Sequence, residues 1–269
     1  MDSFSSGYTF SSEQVSKYHP DKFADQISDA VVTECLKQDT SSRVACECLV
    51  KNDTVILAGE ITSRATLNYG EIARRVGRKL GYAVERVETY ITRQSPQIAQ
   101  GVDLGGAGDQ GMMFGYACRE SWNYLPFGFG LANEVIDMIE SDVQDNPNTI
   151  LLGEAKTQVT VDVRNPRKPL CVLVSACHKE GVTKEELTSY LIRLLQLDCL
   201  YMINPAGAWT HGGAFADCGL TGRKIVCDQY GGYARVGGGA LSGKDPTKVD
   251  RSATYMARKI AVDAVKEFE

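Results

Sequence analysis

The chain has 269 residues but only three histidines, two tryptophans and no long apolar run. Nothing in it approaches the roughly 20 apolar residues of a membrane-spanning helix. Its polar start, MDSFSSGY, lacks the charged and apolar regions of a signal peptide. A cytoplasmic protein with no membrane partner is therefore expected. The nine cysteines are odd in number and scattered, mostly in apolar runs such as CVLVSAC, so they read as reduced core residues. Cys46 and Cys48 have no second Cys/His pair at zinc spacing, and alternation along a strand would send both thiols to one face. No Ser-His-Asp constellation is evident. The net charge of −5 argues against a non-specific nucleic-acid binder, although basic residues crowd between Arg223 and Arg258, as for a small polyanion.

What is present is ordinary globular material, 43% hydrophobic and 23% charged, enough for one large domain or two to three small ones. Pro20 suits a first helical position, and Phe23, Ile27, Ala30, Val31 and Leu36 recur mostly at spacings of three and four, so a helix should open at His19-Pro20-Asp21. VACECLVK and TVILAGEIT flank Asn52-Asp53 and should form a hairpin. Residues 69–80 repeat Ile72, Val76 and Leu80 before Gly81, a helix with a glycine stop. Further along, a helix is expected near 131–143, strands at 156–163 and 170–177, and a helix after the capping box Thr183-Lys-Glu-Glu186. Pro246 should start a last helix, with Val249, Ala253, Met256, Ile260 and Ala264 along one face. This order lacks a regular βαβ rhythm and favours α+β layers.

The sharpest local signal is GGGALSGKDPTKVDR, where Gly238, Gly243 and Lys244 satisfy G-x-x-x-x-G-K and the loop is expected to run straight into the last helix. Glycines there would let backbone N–H groups approach phosphate oxygens. A P-loop would place Ser or Thr after the lysine, but Asp245 and Pro246 follow. Lys244 and Lys248, four residues apart, would share one side of the first turns. Asp250 sits among these cations, either in ordinary ion pairs or as the carboxylate that holds a divalent metal against a polyphosphate.

The segments SSEQVSKYHPDKFADQISDAV, GEIT, RQSP, GAGDQGMMFGYA, INPAG, DCGLTGRKIV and YGGYARVGGGALSGKDPTKVDRSATYMARK run in that order from residue 11 to residue 259. They resemble the signatures of the methionine adenosyltransferase (S-adenosylmethionine synthase) family. The resemblance implies an α+β S-adenosylmethionine synthetase fold of pseudo-threefold αβ units, divided as 8–95, 105–211 and 212–269, with the third unit incomplete. It also implies a transferase that joins L-methionine to the adenosyl group of ATP. The methionine sulfur attacks ribose C5′ and expels tripolyphosphate, which is then hydrolysed to phosphate and diphosphate. A neutral thioether has no proton to surrender, so positioning and charge stabilisation carry the step.

Carried onto this chain, the family pattern makes His19, Lys156, Arg223 and Lys244 catalytic. It assigns ATP to His19, Glu154, Lys156, Trp209, Asp217, Arg223, Lys224, Ala240 and Lys244, and methionine to Glu60, Gln94, Asp217 and Lys248. Asp21 and Asp250 match the ligands of two Mg²⁺ ions, and Glu47 matches the ligand of K⁺. The family's site lies between subunits, which implies a homodimer or a dimer of dimers. Asp29 and Asp109 read as loop braces, and His178 and His211 have no assigned part. The chain departs from the pattern in a short loop between Gln100 and Gly106, in Ala208 where an arginine is usual, in Trp209 for phenylalanine, in Glu154 for aspartate, around residues 125–130, and in stopping at Glu269. Completion by a second polypeptide, an impaired ATP-binding or regulatory subunit of a longer relative, and simple ATP or polyphosphate hydrolysis are the competing readings.

Overall fold

The computed structural model describes residues 8–94 and 106–268, so the short loop is, apart from Gly106, outside the described residues. The chain forms β1 (Thr9–Val15), α1 (Pro20–Gln38), β2 (Arg43–Lys51), β3 (Thr54–Thr62), α2 (Tyr69–Leu80) and β4 (Arg86–Thr92). It continues with α3 (Phe127–Asp145), β5 (Leu151–Asp162), β6 (Asn165–His178), α4 (Lys184–Leu195) and β7 (Leu200–Ile203). The last segment holds α5 (Gly213–Ala216), β8 (Gly219–Leu220), α6 (Ile225–Asp228) and α7 (Val249–Glu267). The fold is α+β, with sheets ordered β4-β3-β2-β8 and β1-β5-β6-β7.

Each sheet buries one face under helices. Along β2, alternation turns Val44, Cys46, Cys48 and Val50 into the core, where Phe23, Ile27 and Val31 of α1 and Ile72 and Val76 of α2 meet them. Both thiols of the Cys46/Cys48 pair are thus core groups, and burial pushes their pKa values up. The opposite face of this sheet presents Ala45, Glu47 and Glu60, with Ala45 directly across from Glu60. In the other sheet, Val159, Val161, Val172 and Val174 pack under Val135 and Ile139 of α3 and Leu187 and Leu191 of α4. Lys156 stands on the uncovered side. Both uncovered faces therefore carry residues expected at the site.

Local signals place most of the elements. The imidazole Nδ1 of His19 caps α1 by accepting from the Asp21 amide at 3.1 Å. Gly81 ends α2 at φ +75°, a left-handed conformation that glycine adopts without strain. Both halves of the Thr183/Glu186 capping box are present. The hairpin turns at Asn52, whose φ is +54°. α3 starts earlier than expected, at Phe127, because the Pro126 backbone turns the chain into it.

Two expectations fail near the C-terminal end. The last helix opens at Val249, not Pro246, because the Asp245 carboxylate draws residues 245–248 into a turn by accepting from the Thr247 amide at 2.9 Å and the Thr247 hydroxyl at 2.6 Å. The glycine loop consequently does not run straight into the helix, and Lys244 and Lys248 do not share its first turns. Among the described residues the segment after Gly212 forms no sheet of its own. The apolar stripe of α7 stays uncovered, with Met256 55% and Ile260 61% exposed.

Candidate active site

The N-terminus of α1 brings His19 and Asp21 into the protein, each only 1% exposed. Burial, and then the charges of Lys224 and Lys156, push the His19 pKa down to about 4, so the ring is neutral at physiological pH. Asp21 accepts from the Leu220 amide at 2.9 Å with Oδ1 and holds the Lys224 ammonium with Oδ2. Burial alone would raise its pKa, but the Lys224 and Leu220 hydrogen bonds outweigh that and hold it below the ordinary carboxylate value. Arg223 approaches the same carboxylate at 3.9 Å. Asp217 lies within the electrostatic reach of His19 and Glu154. Glu154 is buried and accepts from the Gly213 amide; burial raises its pKa against that bond and against Lys156. His19, Asp21, Glu154, Lys156, Asp217, Arg223 and Lys224 thus form one group.

A second group lines a cavity of about 440 Å³ that contains Ala45, Glu60, Gln94, Asp109, Lys244, Lys248 and Asp250. Lys244 follows Gly243 at a bridge to Ala45 and pairs with Asp250 at 2.5 Å. Lys248 reaches back to the buried Asp245 at 2.9 Å. Glu47, exposed on β2, feels the charge of Lys244; burial of its surroundings nonetheless pushes its carboxyl up.

The groups are joined through glycines. A Cβ on Gly222 would collide with Ala240, and one on Gly239 would collide with the Asp250 carboxylate. The loop carrying Ala240 is therefore wedged between the turn before Arg223 and the start of α7. Asp217 sits with His19 and does not line the cavity of Glu60 and Gln94. The Trp209 indole donates to the His211 carbonyl at 3.0 Å, and the Trp209 amide donates to Nε2 of His178 at 3.2 Å. His178, unassigned from sequence, is thereby the anchor of the Trp209 segment. Also missed were Lys22, Asp25 and Asp228, where the ammonium bridges the carboxylates at 2.9 and 2.6 Å. The four-residue spacing of Asp21, Asp25 and Asp29 was the available signal. Asp29 is the brace it was expected to be.

The frame and its charge-dense open faces define an α+β protein with a mixed lysine, arginine and carboxylate site. Family models for the S-adenosylmethionine synthetase N-terminal, central and C-terminal domains match residues 7–103, 104–209 and 211–268. The chain belongs to the S-adenosylmethionine synthetase family. It is 42% identical to the S-adenosylmethionine synthase of Brachyspira hyodysenteriae, covering 96% of this chain and 74% of that one. It is 43% identical to those of Mycoplasma mycoides, covering 95% and 73%, and Salinibacter ruber, covering 96% and 74%. The chain thus spans about three quarters of these relatives.

Proposed function

We propose that this protein is a methionine adenosyltransferase, forming S-adenosylmethionine from ATP and L-methionine. The sulfur lone pair forms the new bond to ribose C5′ as the C5′–O bond breaks, and the bonding pair leaves with tripolyphosphate. Water then hydrolyses tripolyphosphate to phosphate and diphosphate. The observation that carries this reading is a neutral, buried His19 beside Asp21, Lys224, Arg223 and Lys156, with no activated nucleophile among them. A neutral imidazole can donate to a phosphate oxygen near the reacting carbon without being consumed as a base. The cations meet the charge that develops on the leaving oxygen.

Magnesium fits the donors at hand. Among the described residues no three His, Cys, Asp or Glu gather as a metal cage. Magnesium, however, ordinarily takes one or two carboxylates and completes its shell with phosphate oxygens and water. Asp21 and Asp250 each offer hard oxygens now paired with an ammonium, from Lys224 and Lys244. Asp21 and Asp250 would each hold one Mg²⁺, which neutralises polyphosphate charge when bound. Glu47, another hard oxygen donor beside Lys244, would hold K⁺. Glu60, Gln94 and Lys248 would receive methionine, with Asp217 reaching it and ATP from the His19 group.

The separation of the two groups within one chain supports a homodimer or homotetramer in which each completes a site with its partner. Among the described residues no helix is long and apolar enough to cross a membrane. The test is chromatography of purified protein with ATP, methionine, Mg²⁺ and K⁺. Methionine-dependent S-adenosylmethionine is the expected product. No product, or phosphate release that ignores methionine, overturns the reading.

A further inference from the structure

The peptide plane between Tyr18 and His19 is held at both ends. Its N–H, that of His19, donates to the Ser16 carbonyl at 2.9 Å, and its C=O, that of Tyr18, accepts from the Tyr82 hydroxyl. Tyr82 follows the Gly81 stop of α2, and its own amide donates to the Gly77 carbonyl at 2.9 Å, which fixes where the ring leaves the backbone. The ring stacks on Phe23 of α1, four residues after His19, with centroids 4.5 Å apart and planes 15° from parallel. Burial, and then the charge of Glu154, raises the Tyr82 pKa, so the phenol stays a donor.

The same ring lies against Gly213, where a Cβ would stand 2.5 Å from a ring carbon and 2.6 Å from the hydroxyl oxygen. Gly213 is fixed in turn by Glu154, which accepts from its amide, and the Gly213 carbonyl accepts from the Asp217 amide at 3.0 Å. One phenol thus touches both the peptide before His19 and the short turn that ends at Asp217.

That peptide decides where the imidazole points. Nδ1 of His19 accepts from the Asp21 amide, so the neutral ring carries its proton on Nε2. His19 caps α1 in an extended conformation, with φ −62° and ψ 138°, and the plane before it lies outside the helix ladder. Tyr82 and Ser16 hold it instead.

We infer that Tyr82 is a positioning residue for His19, acting through the Tyr18–His19 peptide to aim the imidazole at the leaving phosphate oxygen. That purpose rests on the adenosyltransferase reading, whereas the placement of the ring can be read without turnover.

Tyr82→Phe gives the deciding variant, because it keeps the Phe23 stack and the Gly213 contact and removes only the donor to Tyr18. It should remain folded by circular dichroism. Misplacing a reacting group by about 1 Å can lower a rate on the order of 100-fold, so kcat per folded molecule should fall at least about tenfold. The methionine KM should stay within about twofold. In a His19→Gln background the same substitution should change kcat less than about twofold, since the group it positions is gone. Nuclear magnetic resonance of protein isotope-labelled in its three histidine rings reads the placement directly. Tyr82→Phe should shift the His19 signals, identified by their loss in His19→Gln, and weaken their response to inorganic tripolyphosphate, while those of exposed His211 stay in place. Unmoved His19 signals overturn the inference, as does an equal loss of kcat in the wild-type and His19→Gln backgrounds. An inactive wild-type protein whose His19 signals move in Tyr82→Phe overturns the catalytic reading and leaves the positioning of His19 standing.

Discussion

The sheet of β1, β5, β6 and β7 is closed by Val135, Ile139, Val159, Val172, Leu187 and Leu191, all buried. Residues 212–248 bury only Ala214, Cys227 and Tyr230 among apolar groups and are pinned instead by Asp21, Asp25, Asp29 and Asp245. One region is held by area removed from water, the other by hydrogen bonds to charged groups. The difference follows from what each region is for. A surface that must meet a polyphosphate cannot be covered with leucine, and its backbone amides need polar partners in place of a core. Charge-assisted hydrogen bonds are each worth about 1.5–3 kcal/mol, so a few of them can order a glycine-rich segment that has almost no core.

The comparison breaks if the polar-held region proves necessary for folding. Lys244→Ala and Asp250→Ala should each lower kcat by roughly 100- to 1000-fold while leaving the melting temperature nearly unchanged, because both act on developing charge at a partly exposed pair. Product chromatography alongside a thermal melt checks this. Turnover at the wild-type rate in either variant removes the cradle from the mechanism. The complementary cut is Leu191→Ala in the apolar-held region. Leu191 is fully buried, so the variant should lose about 2–5 kcal/mol in urea unfolding yet keep normal turnover in its folded fraction.

Acid sharpens the contrast from another direction. His19 is held at about 4 by burial, Lys224 and Lys156, against the opposing charges of Asp21 and Asp217. In the unfolded chain it takes up a proton near pH 6.5, while the folded protein does not until about pH 4, so the unfolded state binds more protons between those values. Stability contributed by neutral His19 is complete above pH 6.5 and is lost as pH falls toward 4. The loss is on the order of 3 kcal/mol at most. Urea midpoints at pH 7 and 4.5 measure it, and His19→Gln should flatten the slope. An unchanged slope in that variant shows that other groups carry the acid sensitivity.

The two regions also differ in how far the sequence revealed them. Period-2 alternation in β2 and β5 and the three-and-four spacing of α2 and α4 are written in side chains that contact near neighbours, so the apolar-held elements were legible. His19, Lys244 and Asp250 were legible as motif residues. That Asp25 meets Gly222, 197 positions away, was not, because a carboxylate's partner across the chain leaves no local period. The early expectation for α7 failed for a related reason. Pro246 is a fair first helical residue, but the Asp245 side chain competes for the Thr247 amide and delays the helix. The exposed stripe of Met256 and Ile260 keeps a helical period without a layer over it, so periodicity alone could not tell covered from uncovered.

The smallest effect lies at the edge of the apolar-held region and tests whether that region depends on polar hooks as well. Thr183 caps α4: its hydroxyl accepts from the Glu186 amide at 3.2 Å, while the Glu186 carboxylate accepts from the Thr183 amide at 2.8 Å. Thr183→Ala frees one helix-end amide at an exposed position, where water replaces the lost oxygen, so the loss should be about 1 kcal/mol. Leu187, one turn further, keeps its place in the core, and the cavity of Glu60 and Lys248 is lined by other elements. The variant should therefore show a modestly lower urea midpoint with unchanged kcat and unchanged KM for both substrates. A loss as large as that of Leu191→Ala would mean that α4 depends on its cap as strongly as on its buried leucines, and the contrast between an apolar-held and a polar-held half would fail.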